Sequence, residues 1–178
     1  ANGANMIIQK SAYFKYHNQA GDDQASGDDV FLIQSIAAES PNRVDFIKSK
    51  KAIATTFPEN TWKKLIIQRL RWASKTSSYS NKRLQLKIGK IFAFNFSLFT
   101  LFIVGFLCAS WLTLAALGCF VLKICLDFYL INHNKLMFTI RQKKRYFPFF
   151  VLIHSIFIIS IGSAAILNFK GSWKGRNV

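Results

Sequence analysis

A chain of 178 residues, 51% of them hydrophobic, is long enough for one domain, but its apolar residues gather in the C-terminal half, which points to a membrane protein rather than a soluble globule. The net charge of +16 is shared: residues 1–90 carry 15 basic and 7 acidic side chains, residues 91–178 carry 9 and 1. This favours anionic partners such as phosphates or an anionic membrane face; nucleic acid is disfavoured, because no zinc-finger, helix-turn-helix or RNA-recognition pattern accompanies the charge.

The chain opens on Ala1-Asn2-Gly3, with neither a start methionine nor a signal peptide, and reads as a fragment beginning in mid-domain. Asn2-Gly3-Ala4-Asn5-Met6 has the chemistry of a turn, and predicts a loop entering a strand through Ile8 and then a short helix around Ala12-Tyr13-Phe14. Beyond Ser26-Gly27 come two adjacent acids, Asp28 and Asp29, and then Val30, Leu32, Ile33, Ile36 and Ala37 at helical spacing. Carboxylates are favoured at a helix start by the exposed amides and the dipole, so one of the two can be a cap and nothing more. A cap needs only one.

Ser40-Pro41-Asn42 closes that helix, and Val44–Ile47 and Ala52–Thr56 read as two short strands around the basic turn Lys48-Ser49-Lys50-Lys51. Pro58-Glu59-Asn60-Thr61 supplies start signals for a helix reaching about Ser74, with Trp62, Leu65, Ile66 and Leu70 at helical spacing and Glu59 belonging to the helix start. On that helix Gln68, Arg71 and Trp72 share a face, while Arg69 points elsewhere. An amide for hydroxyls, a guanidinium for phosphate oxygens and an indole for a sugar ring suit a sugar joined to a diphosphate. The same residues also suit an interfacial helix among lipid headgroups.

Residues 76–90 form a basic connector with Leu84, Leu86 and Ile88 interleaved, read either as an amphipathic stretch on the bilayer or as a linker. Residues 91–169 form a membrane region with about three apolar segments, 91–111, 112–131 and 147–169, since the uncharged run between Lys90 and Lys123 is longer than one span needs. Lys123 and Asp127 lie one turn apart within it, either a self-paired couple or, with His154, a polar seam. Cys108, Cys119 and Cys125 lack metal or disulfide spacing and read as small buried hydrophobes. The basic loop 132–146 and the basic tail 170–178 cannot both lie inside if all three segments cross, which leaves open a re-entrant or interfacial segment.

Two of these stretches, taken in order, resemble the C-terminal half of the catalytic domain of family 2 glycosyltransferases, the inverting, membrane-bound enzymes of GT-A fold. Gln68, Arg71 and Trp72 match the family's Gln-x-x-Arg-Trp signature, Asp28-Asp29 stands where the family usually has Glu-Asp, and Trp173-Lys174-Gly175-Arg176 is similar to a common family ending. The resemblance implies that residues 1–75 complete an α/β GT-A domain ahead of α-helical membrane segments. It further implies Asp29 as general base supported by Asp28, with Gln68, Arg71, Trp72, Gly3 and Asn5 binding substrate. A divalent metal, Mg or Mn, is implied with its ligands before residue 1, as are a nucleotide-sugar donor, a lipid or glycan acceptor, and an integral membrane location, in a bacterial inner membrane with the catalytic part cytoplasmic. The alternative is a non-enzymatic anchoring or scaffold protein that binds anionic lipid.

Overall fold

The computed structural model describes residues 5–16, 28–39, 43–47, 49–108, 110–138, 144–167, 169, 172–173 and 176–177. Their regular structure is α1 (Lys10–Tyr16), α2 (Asp28–Glu39), α3 (Trp62–Ser74), α4 (Lys82–Cys108), α5 (Ser110–Phe138), α6 (Phe147–Ile166), and two-residue strands β1 (Ser172–Trp173) and β2 (Arg176–Asn177). The strands pair antiparallel, Ser172 opposite Asn177 and Trp173 opposite Arg176. Short 3₁₀ turns lie at Lys50–Ala52, Lys75–Ser78 and Lys144–Tyr146.

This overturns the expected α/β architecture. Among the described residues of the first 75 there are helices and no strand, so a GT-A sandwich is absent. Val44–Ile47 and Ile53–Thr56 run irregularly, as does the segment before α1. The reason lies in burial: Phe46, Ile47 and Ile53 are 64%, 58% and 41% exposed, with no sheet face to cover them. A two-stranded hairpin is marginal in water without such cover.

The chain divides into two compact units, residues 1–86 with 164–178, and residues 87–163, the first boundary falling within α4. In the first unit Tyr16 of α1 packs on Leu32 and Ile36 of α2, with Ile8, Ala12 and Val44 around them. A polar clasp closes the same contact: Lys15 Nζ donates to Glu39 Oε1 at 2.5 Å and the Tyr16 hydroxyl donates to Glu39 Oε2. The bond from Lys15, and then that from Tyr16, hold the Glu39 carboxyl below its ordinary value; the bond to Glu39 raises Lys15. A lowered carboxyl contributes stability above its unfolded value and loses it as pH falls through the folded one; a raised amine contributes below its unfolded value and loses it as pH rises. Amide exchange in α1, corrected for intrinsic rates, should therefore quicken below about pH 4 in the native chain and stay flat there in Glu39→Gln.

α3 begins where its start signals stand. Thr61, in extended conformation, accepts from Lys64 N at 3.3 Å and caps the helix. α4 begins similarly, the Asn81 side chain accepting from Leu84 N at 3.1 Å. Lys82–Lys90, within the basic connector, form the first turns of α4.

Three segments, Lys82–Cys108, Trp111–His133 and Lys144–Ile166, are long and apolar enough to cross a membrane, and the chain is an integral membrane protein on that ground. Little of them is covered by protein, as suits helices solvated by lipid. A helix can stand there because its backbone groups bond within the segment itself. In the second unit Gly105 of α4 lies directly against Thr113 of α5, Phe128 meets Phe147 edge-to-face at 5.3 Å, and Ala116 and Val151 are buried. Cys108, Cys119 and Cys125 are exposed rather than buried, because so few helices have little interior to offer; they carry no disulfide.

Candidate functional site

The two stretches singled out by the sequence lie on α2 and α3. Asp28 is the first residue of α2, and its side chain lies outside what is described. Asp29 follows, half-buried. Gly3 lies outside the described residues. The Asn5 amide donates to the carbonyl of Ala52, which ties the segment before α1 to the 3₁₀ turn Lys50–Ala52.

The helix of the Gln-x-x-Arg-Trp spacing carries its side chains in two groups. Gln68 Nε2 donates to Glu59 Oε1 at 2.9 Å, so Glu59 serves as the partner of Gln68 as well as standing at the helix start. Arg69, expected to point elsewhere, lies with its guanidinium 4.7 Å from the Trp72 ring, a cation–π contact between residues three apart on the helix. Arg71 is half-buried, and Trp72 is 45% exposed.

A third stretch, invisible to motif reading, reaches the start of α2. Tyr79 follows the 3₁₀ turn that extends α3, and its ring meets Phe31 edge-to-face at 5.8 Å. Burial, and after it the negative charge of Asp29, push the Tyr79 hydroxyl above its ordinary value. Tyr79 thus sits within electrostatic reach of Asp29. Its segment is held by α2 and by the first turn of α4: Gln34 Oε1 accepts from Ser80 N at 3.0 Å and from Asn81 N at 3.4 Å, while Gln85 Nε2 donates to the carbonyls of Ser77 and Tyr79 at 2.8 and 3.0 Å. No spacing signals a contact between residues so far apart in the chain.

Among the described residues no group of three or more His, Cys, Asp or Glu side chains could hold a metal ion. The divalent metal implied by the resemblance is expected to take its ligands from before residue 1 rather than from these residues. In the second unit Lys123 pairs with Asp127, and the His154 ring stacks on Phe150 at 5.9 Å. Comparison with protein-family models, curated proteins and solved structures finds no match to this chain.

Proposed function

We propose that this membrane protein is an inverting glycosyltransferase that moves a sugar from a nucleotide-sugar donor to a hydroxyl of a lipid or glycan acceptor. What supports the reading is that Gln68, Arg71 and Trp72 stand on one helix, α3, and that the turn extending it carries Tyr79 against Phe31 of α2, the helix that Asp28 and Asp29 begin. Asp29 takes the proton of the acceptor hydroxyl as its oxygen bonds to the anomeric carbon, and the bond to the nucleoside diphosphate breaks on the opposite side. Arg71 meets the charge that grows on the leaving diphosphate. Gln68, steadied by Glu59, orients a hydroxyl, and Trp72 offers a ring for stacking.

The test is turnover of UDP- and GDP-sugars by the full-length protein in membranes, with Mg or Mn supplied. Asp29→Asn should lower turnover by about 10²-fold or more while donor binding persists. Equal turnover in the variant removes Asp29 from the role of base. A second reading, a non-enzymatic anchor that binds anionic lipid, is favoured by the exposure of Trp62, Ile66 and Trp72 beside the exposed Lys63, Lys64 and Arg69. Absence of turnover with every donor, in a folded protein, selects it.

A further inference from the structure

α3 turns its apolar side outward. Trp62, Ile66 and Arg69 share one face by spacing, and Trp62 is 72% exposed, Ile66 40%, with Arg69 exposed beside them. Lys63, also exposed, flanks that face, and Trp72 stands at its edge beneath the Arg69 guanidinium. Gln68 and Arg71 lie on other sides of the helix and are half-buried. A surface helix of a water-soluble domain does the reverse and turns its apolar stripe to a core. An outward apolar face set among cations is the arrangement of a helix that lies in the plane of a bilayer surface.

Two observations name the occupant. The first is charge: residues 60–90 carry nine basic side chains and no acidic one, so an anionic surface complements the whole stretch. The second is the tether. α4 has 27 residues, about 40 Å at 1.5 Å per residue, and exceeds a hydrocarbon core of about 30 Å by about 10 Å. That excess is its basic start, which sets Lys82, Arg83 and Lys87 at the level of the headgroups. Ser74, the last residue of α3, precedes Lys82 by eight residues, at most about 28 Å of extended chain and less with the 3₁₀ turn between them. α3 is thereby held within reach of one leaflet of the membrane that its own chain crosses.

We propose that α3 lies in the headgroup layer of an anionic leaflet, with Trp62 and Ile66 between the lipids and Lys63 and Arg69 on their phosphates. The lipid meets neither Gln68 nor Arg71, so the docking goes beyond the anchor reading and holds whether or not the chain transfers a sugar. The test is hydroxyl-radical footprinting of the full-length protein in nanodiscs, of phosphatidylcholine alone or mixed with phosphatidylglycerol, with mass spectrometry reading the oxidation of Trp62. One basic residue at a charged leaflet is worth roughly fivefold in binding. Trp62 should therefore oxidise at least about fivefold more slowly in the anionic nanodiscs, and molar salt should remove the difference. Lys63→Gln combined with Arg69→Gln should lose most of the protection. The readout needs no turnover, so an inactive protein that shows the protection removes the enzyme reading and keeps this one. Equally fast oxidation in both compositions leaves the face in water and overturns the proposal. Equally slow oxidation in both gives the face to a protein partner and overturns it too, as does protection that the double variant keeps.

Discussion

Gly105→Leu is expected to open the α4–α5 hairpin, with a loss of more than about 3 kcal/mol, the upper end of ordinary overpacking. A Cβ at Gly105 would lie 2.4 Å from the backbone N of Thr113, 2.8 Å from the backbone C of Leu112 and 2.9 Å from Thr113 Oγ1. Two of those atoms are backbone. No rotamer change relieves them, so the helices must separate, and close approach through small residues is what holds apolar helices together in lipid. Even Gly105→Ala should unfold at lower SDS fraction than the native chain, followed by circular dichroism. Gly118→Ala is the control: nothing lies within 4 Å of its added Cβ, and alanine favours a helix interior by about 0.5–1 kcal/mol. An unchanged midpoint for Gly105→Ala would refute the close contact.

How much of this was legible depended on how local each feature is. The start of α3 is written in Pro58 to Thr61, and Thr61 caps it; α2 begins at Asp28, where the acids stand. The long apolar helices follow from an uncharged run that only a membrane or a large core can hold. The strands expected at Val44–Ile47 and Ala52–Thr56 failed because a strand needs a partner, and nothing in their own residues tells whether one exists. At the site, Arg69 over Trp72 is a three-residue spacing that local geometry could have supplied. The bonds from Gln34 to Ser80 and Asn81, and the approach of Tyr79 to Asp29, join distant parts of the chain and carry no local signal.

Asp127→Leu should destabilise the chain by about 3–5 kcal/mol, since it leaves the Lys123 ammonium uncompensated. The Lys123 side chain is 10% exposed and that of Asp127 32%, so removing the aspartate strands the more buried charge. Lys123→Leu strands the less buried one and should cost less. The double variant should recover most or all of the loss, because well-packed apolar residues replace a buried ion pair at little or no cost. Lys precedes Asp by four residues, the weaker order for a helical pair, so helix stability alone does not account for the arrangement. Both residues line an open, mostly apolar groove between α4, α5 and α6. SDS unfolding of the four proteins measures the coupling, and a double variant as unstable as Asp127→Leu would show that the two charges do not act as a pair.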